Sequence, residues 1–271
     1  MKYHYALPEN NDNVSHNHPL KEFFVLLSGL VIIFLLVFWS LGFFIDFAVD
    51  HISPEDEALI FAKINFNKEH EVKLSSDQQA VLQKITNSLG QCIKAPYPVT
   101  VRLVKSEHAN AAAFPGGAII VFTGLLEKVK SENGLAFVLA HELGHYINRD
   151  HLRSMGRGIV LLALSSILTG ANSDITQILA PAKAFSHAKY SQKQESDADK
   201  AALQALNCLY GHVGGATEFF KAILKDEERK FDFKALHYFS SHPELKKRID
   251  YLNNLTLTMG FQSKEVIEFI Y

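Results

Sequence analysis

The longest hydrophobic pattern in the chain is an uncharged run over residues 23–45, FFVLLSGLVIIFLLVFWSLGFFI. As a helix at about 1.5 Å per residue it would be roughly 34 Å long, enough to cross a hydrocarbon core of about 30 Å. A cleaved signal peptide is the alternative, but such regions are shorter and end at small residues, whereas this run continues into DFAVDH. We therefore predict a transmembrane helix over residues 23–45, behind a disordered polar tail over residues 1–22.

The lysines around this run indicate an orientation. Lys2 and Lys21 precede it, whereas the stretch just after it carries several acidic residues and a single lysine, Lys63. Since lysine and arginine are retained on the cytoplasmic side, the bulk of the chain is expected outside the cytoplasm.

The pattern beyond a linker over residues 46–73 is that of one globular domain, residues 74–271. The first segment, SSDQQAVLQKITNSLG, predicts a capped helix that ends at Gly90. Two β-branched runs, PYPVTVRLV and AIIVFTG, predict strands before and after the turn at residues 115–117.

Helical periodicity dominates the chain from Ser131 onward. A small sheet followed by packed helices predicts an α+β fold. The predicted helices cover residues 134–149, 151–170, 190–210, 214–229, 243–254 and 263–270.

Composition narrows the function classes. The chain is 48% hydrophobic and has a net charge of -2 without a long basic run, so a nucleic-acid partner is not expected. Two cysteines, Cys92 and Cys208, are too few for a disulfide framework. We interpret them as two buried thiols, with a disulfide as the alternative in an oxidising compartment.

The motif HELGH at residues 141–145 suggests metal chemistry. His141 and His145 lie four residues apart, so on a helix their rings project from one face and can share a zinc ion, while Glu142 can act as general base on a metal-bound water. The alternative is a polar trio exposed on a helix. The apolar GLAFVLA before the motif favours burial, and buried imidazoles need partners such as a metal.

A catalytic zinc ion usually has three protein ligands, and the sequence offers two places for the third. His151 has the spacing of a further histidine ligand, but Asn148 stands where that motif needs glycine for the chain to turn. The segment QESDADKAAL places Glu195 and Asp199 four residues apart on a helix. We predict Glu195 as the third zinc ligand and Asp199 as the hydrogen-bond acceptor for one ligand histidine.

Four segments together resemble a known family: HELGH, ESDAD, NAAAFPGGAIIVFTGLL and SSHPELKKRIDYL. Their order is similar to that in the HtpX-type zinc metallopeptidases, the gluzincin family that includes the CAAX prenyl proteases and the mitochondrial Oma-type proteases. The resemblance covers residues 70–255 and implies a mostly helical zincin-type domain with one zinc ion. It implies His141, His145 and Glu195 as ligands and Glu142 as catalytic base. Two features depart from the family pattern: there is a single predicted span, and Gln192 stands where many relatives have arginine.

Two flanking segments are further candidates for the site. The strand that begins after the turn could add an extended peptide substrate along its edge, through Gly117, Ala118, Ile119 and Ile120, or it could be an interior strand. His242 precedes Pro243 and is expected to be held stiffly in front of a helix. By resemblance it would polarise the oxyanion or occupy the open zinc position, and a plain capping role is the alternative.

These observations predict a membrane-anchored zinc metalloendopeptidase that cleaves unfolded or extended polypeptide segments in envelope protein quality control. The expected location is an inner membrane, with the catalytic domain on the periplasmic side. The alternative is an anchored binding or chaperone-like module whose metal site is closed and inactive. The sequence leaves the oligomeric state open.

Overall fold

The computed structural model describes residues 19–61, 76–158, 190–229, 242 and 244–268. The tail predicted as disordered, residues 1–22, and the helix predicted over residues 151–170 lie mainly outside these residues. The described parts, residues 19–22 and 151–158, are helical. The helices are α1 (Pro19–His51), α2 (Pro54–Phe61), α3 (Ser76–Cys92), α4 (Thr123–Lys128), α5 (Glu132–Ile147), α6 (Gln192–Tyr210), α7 (Glu218–Arg229) and α8 (Leu245–Thr258), and the strands are β1 (Thr100–Val104), β2 (Ala111–Phe114) and β3 (Ala118–Phe122).

Helix α1 contains the predicted span and extends beyond both of its ends. By length and composition it could cross a membrane. Within α1, Val49 is the buried residue, and large apolar side chains along the rest of the helix are exposed. The chain forms two compact units, residues 1–44 and residues 45–271, so the last turns of α1 belong to the larger unit. Part of the stretch predicted as a linker is therefore helical, as the end of α1 and as α2.

The sheet has three strands in the order β1-β3-β2, with β1 parallel and β2 antiparallel to β3. The predicted α+β class, mostly helical with a small sheet, is confirmed. Strand β2 was not predicted, because its alanines carry no β-branched signal. The expectation of a free edge on the strand that follows the turn is wrong, since β3 is paired on both sides.

Helix α5, which carries HELGH, runs through the middle of the larger unit. Its residues from Asn133 to Tyr146 are all buried, and it packs mainly against α6, α3 and β2. Ser131 caps it by accepting a hydrogen bond from the Gly134 backbone N–H at 2.9 Å. Because Gly144 has no side chain, α6 approaches closely: a Cβ there would lie 3.0 Å from the Cα of Ala198.

Three local predictions were wrong. Helix α3 continues past Gly90 to Cys92. Residues 263–268 are not helical, and Glu268 instead forms a β-bridge with Ser131. Cys92 and Cys208 are not free thiols but form a disulfide that joins the ends of α3 and α6. The disulfide was the alternative to buried thiols, and a bonding partner 116 residues away gives no local signal in the sequence that would favour it.

Candidate metal centre

Two histidines, one glutamate and a third histidine converge in the buried interior. His141 and His145 come from α5, Glu195 from the first turn of α6, and His242 from the chain before α8. One ligand atom from each of the four lies within 4.8 Å of the others. The structure therefore brings together the predicted ligand set and adds His242 to it.

The spacing of these atoms matches the coordination geometry of a zinc ion. Four donors about 2.0–2.1 Å from a tetrahedral ion are separated from one another by about 3.3 Å. The Nε2 atoms of His141 and His145 lie 3.1 Å apart. Oε2 of Glu195 lies 3.6 Å from the Nε2 of His141, and Oε1 of Glu195 lies 3.5 Å from the Nε2 of His145. Nδ1 of His242 lies 3.4 Å from Nε2 of His141 and 2.9 Å from Glu195 Oε1. Donor type and spacing both fit a zinc ion.

Glu142 lies beside the ligand cluster and is fully buried. Its Oε2 accepts a hydrogen bond from the backbone N–H of Ala113 in β2 at 2.9 Å. Its Oε1 has no hydrogen-bond partner among the described residues and lies 3.7 Å from Nε2 of His242. A buried carboxylate oxygen without a partner, turned toward the cluster, is placed to take a proton from a water molecule there.

Oδ1 of Asp199 lies 3.0 Å from Nδ1 of His141, the ring nitrogen that faces away from the cluster. Arg248 of α8 donates two hydrogen bonds to the same carboxylate, at 2.8 Å and 2.6 Å. Nη1 of Arg248 also lies 2.6 Å from Oε2 of Glu195, close enough for an ion pair although not aligned for a hydrogen bond. Arg248 thus supplies a buried positive charge between the carboxylates of Glu195 and Asp199.

Asp150 contacts His145, the second candidate ligand on α5. Its Oδ2 lies 3.0 Å from Nδ1 of His145, and its Oδ1 accepts a hydrogen bond from Gln194 at 2.7 Å. The ring of Tyr190 stacks on His145, with centroids 3.8 Å apart. His141 and His145 therefore each have a carboxylate on the ring nitrogen that faces away from the cluster, an arrangement that fixes tautomer and orientation at metal sites.

The charges in the centre shift its pKa values in opposite directions. Burial lowers the pKa of His141, and the Arg248 charge adds to that effect. Burial also opposes the charged form of His145, but the hydrogen bonds to Asp150 and Glu195 outweigh it and raise the pKa to about 9. Burial acts to raise the pKa of Glu195, yet His242 and Arg248 hold it well below its usual range. The centre thus keeps Glu195 ionised, the form in which it binds a metal.

Not every sequence candidate lies in the centre. His151 is outside the cluster and contacts Glu57 at 3.1 Å. The stretch Gly117–Ile120 does not contribute a free edge, and the strand whose backbone reaches Glu142 is β2. Gln192 donates a hydrogen bond to Glu244 at 2.8 Å, and the positive charge expected near this helix start comes from Arg248 instead.

Asp150 and Arg248 were missed by the sequence analysis. Asp150 lies five residues after His145, where a helix would not bring the two side chains together, so the spacing gave no signal. Arg248 lies six residues after His242, in the segment SSHPELKKRIDYL that the sequence analysis had identified. The contacts of Arg248 depend on where α8 packs, which the sequence does not show.

Two histidines one helical turn apart, a glutamate next to the first of them and a carboxylate from a second helix are the arrangement typical of a zinc metallopeptidase. The sequence profile of peptidase family M48 matches residues 76–256, and the chain belongs to this family. This confirms the resemblance drawn from the four sequence segments.

Curated relatives carry related names. The chain is 31% identical over 158 residues to the mitochondrial metalloendopeptidase OMA1 of Schizosaccharomyces pombe, a match that covers 55% of this chain and 44% of that protein. It is 26% identical over 187 residues to the metalloprotease LoiP of Escherichia coli, covering 66% and 71%. It is 28% identical over 189 residues to the beta-barrel assembly-enhancing protease of Escherichia coli, covering 62% and 38%. The chain thus spans less than half the length of the first and the last of these relatives.

Proposed function

We propose that the protein is a membrane-anchored, zinc-dependent metalloendopeptidase. The observation that carries this proposal is Oε1 of Glu142, which has no hydrogen-bond partner among the described residues and is buried beside a donor set whose spacing fits one zinc ion. A structural zinc site has no need of a buried carboxylate next to its ligands, whereas hydrolysis needs a general base there.

The chain supplies the proton transfers of the reaction. A zinc ion bound by His141, His145 and Glu195 would acidify water and polarise a peptide carbonyl. Glu142 accepts a proton from the attacking water through Oε1 and donates it to the leaving amine. The backbone N–H of Ala113 holds the other oxygen of Glu142, so the base keeps its orientation through both transfers.

Strand β2 is the proposed docking edge for the substrate. Among the residues that the structure describes, no strand pairs with the edge of β2 that faces away from β3, and the Ala113 N–H on that edge reaches Glu142. An extended peptide added to this edge would pass beside the metal centre and would donate to the carbonyl oxygens of β2, because the N–H groups of Ala111 and Ala113 are already bonded to Asn110 and Glu142. Such binding selects unfolded or extended segments over folded ones.

The proposed location is the extracytoplasmic side of a membrane, with α1 as the anchor. Helix α1 could cross a bilayer, and the lysines before it favour an N-terminus inside. The Cys92–Cys208 disulfide supports an oxidising compartment such as the periplasm. Together with relatives named for mitochondria and for beta-barrel assembly, these features favour protein quality control in the envelope, next to an inner membrane.

His242 supports a second candidate function. Its Nδ1 lies within the ligand cluster, so it could serve as a fourth zinc ligand and leave no position for water. A permanently closed centre would make the protein an anchored binding or chaperone-like module. As a reversible resting state, the same contact would instead regulate the peptidase, or His242 would turn toward the oxyanion during turnover.

The test is cleavage of an unfolded protein by the zinc-loaded full chain and by Glu142→Gln. The wild type should cleave internal bonds, and the variant should keep one zinc ion per chain while cleavage is abolished. Undiminished proteolysis by Glu142→Gln would refute the role of the base. A wild type that binds one zinc ion with His242 permanently on the zinc, and that never cleaves, would favour the binding module.

A further inference from the structure

Glu57 is a buried carboxylate on a short helix that is otherwise largely exposed. Its residue exposure is 3%, and within α2 it is the buried residue. The apolar Leu59 and Ile60 of the same helix are exposed instead. Since burying a carboxylate is costly unless it is fully paired, hydrophobic docking does not explain why α2 turns this residue inward.

Three partners from two parts of the chain surround Glu57. The backbone N–H of Gly116 donates to its Oε1 at 2.9 Å, and Nε2 of His151 lies 3.1 Å from the same oxygen. Nη2 of Arg149 donates to Oε2 at 3.1 Å. These contacts hold the pKa of Glu57 below its ordinary value, although burial acts to raise it.

The first part of the chain that Glu57 holds is the turn between β2 and β3. Gly116 lies three residues after Ala113, whose N–H bonds Glu142. The conformation of this turn, with positive φ at Gly116 and Gly117, sets how β2 pairs with β3 and therefore where the Ala113 N–H points. A change at Glu57 would shift the strand that holds the general base.

The second part is the chain that follows α5. Arg149 and His151 lie on either side of Asp150, the residue that contacts Nδ1 of His145. Arg149 also donates to the backbone oxygen of Ile52. Glu57 thus holds both neighbours of the residue that orients a proposed metal ligand.

Further ion pairs fix the segment that carries Glu57. Arg153 pairs with Asp50 at 2.6 Å, and Arg157 pairs with Asp46 at 2.8 Å. With Arg149, these arginines are spaced four residues apart and face the acidic residues of the segment between residues 45 and 61. All of these pairs lie within the larger compact unit.

We propose that Glu57 is a positioning residue of the active site, so that the juxtamembrane segment, residues 45–61, forms a working part of the peptidase. Glu57 acts on the general base through the β2–β3 turn, and on a metal ligand through Asp150. The inference rests on the proposed function for its kinetic readout, whereas its metal-binding readout is independent of cleavage. It also gives the anchor-proximal chain a role in catalysis beyond attachment.

The experiment compares the full chain with Glu57→Ala, Glu57→Gln and the matched control Glu55→Gln. Glu55 is an exposed acid on the same helix, so its substitution removes the same charge without touching the site. The readouts are kcat and KM on an unfolded protein and the zinc dissociation constant. They are measured at a temperature where circular dichroism shows every variant to be folded.

For Glu57→Ala, kcat/KM should fall about tenfold and zinc should bind at least about threefold more weakly, since small displacements of catalytic groups and loss of outer partners have effects of this order. Glu57→Gln keeps an oxygen for the Gly116 N–H and loses the charge for Arg149, so its effect should be smaller. Glu55→Gln should match the wild type.

A lower melting temperature with unchanged kcat, KM and zinc binding would show a purely structural role and overturn the inference. Glu57→Gln keeps the test decisive if Glu57→Ala does not fold, because it preserves the shape of the side chain. A wild type without peptidase activity would refute the proposed function alone, and weaker zinc binding by the Glu57 variants would then still support the positioning role.

Discussion

Oδ2 of Asp150 lies 3.0 Å from Nδ1 of His145, on the side of the ring that faces away from the ligand cluster. A carboxylate in this place raises the basicity of the imidazole and fixes the direction in which Nε2 points. We therefore predict that Asp150→Ala weakens zinc binding by about 10–100-fold, the range found for outer partners of metal ligands. Competition with a chelator of known affinity measures this directly.

The matched control for Asp150→Ala is Asp197→Ala, which removes an exposed acid from α6. Zinc affinity should stay within about twofold of the wild type in that variant, because exposed ion pairs such as the one between Lys193 and Asp197 contribute little. Equal affinities for the two variants would mean that Asp150 does not orient His145.

Gly144 sets the distance between the two helices that supply the proposed ligands. An alanine Cβ there would lie 3.0 Å from Ala198 Cα and 3.3 Å from its Cβ and carbonyl oxygen. The backbones must separate, so Gly144→Ala should cost about 1–3 kcal/mol in the free energy of unfolding and weaken zinc binding. Chemical denaturation and zinc titration measure the two effects.

Gly90→Ala in α3 is the control for this prediction. There the added Cβ would meet Ala95 Cβ at 3.6 Å, an ordinary contact, so stability should stay level or rise by up to about 1 kcal/mol. A Gly144→Ala variant as stable as Gly90→Ala would show that α5 and α6 can separate without loss.

The Cys92–Cys208 disulfide closes a loop with a sequence separation of 116 residues between the ends of α3 and α6. Cross-links over long loops restrict the unfolded chain strongly, and their removal costs about 2–5 kcal/mol. We predict that the double variant Cys92→Ser/Cys208→Ser unfolds at a lower denaturant midpoint, by an amount in this range. Reductant should lower the midpoint of the wild type and leave that of the double variant unchanged, and a shift in both would assign the effect to something other than this bond.

The pH dependence of stability should report the contacts of Glu57. Its pKa in the folded protein lies below the ordinary value of 4.5, so its contribution is fully present above that pH. The contribution is lost as the pH falls through the folded-state value, because protonation removes the charge that Arg149 contacts. We predict that the wild type loses stability as the pH falls below about 4.5, and that Glu57→Gln loses less. Parallel curves in urea titrations at each pH would contradict this.

The sequence predicted those parts of the site in which function follows local spacing. Four-residue spacing put His141 and His145 on one helix face, and Glu195 and Asp199 on another, and the fold brings the two faces together. The two segments were paired because a catalytic zinc ion needs a third protein ligand, and the family resemblance gave the same pairing.

Contacts between distant segments could not be read from the sequence. Arg248 and Glu57 look like ordinary surface residues in their local patterns, and only tertiary packing makes them buried partners of the site. Similarly, β2 is a run of alanines that forms a strand because β3 offers it an edge. The helix predicted over residues 263–270 is absent from the described part, residues 263–268, for the same reason, since the backbone there bonds to the start of α5 instead.

Residues 262–268 are hydrogen-bonded to the start of α5, the helix that carries the proposed ligands His141 and His145, and to Val213. The Glu132 N–H bonds the oxygen of Ile267, the Ile267 N–H bonds the side chain of Asn133, and the Val213 N–H bonds the oxygen of Gln262. A shorter fragment made for crystallisation or assay must therefore retain residues 262–268. Without them the Glu132 N–H and the Asn133 side chain, at the start of α5, lose their hydrogen-bond partners.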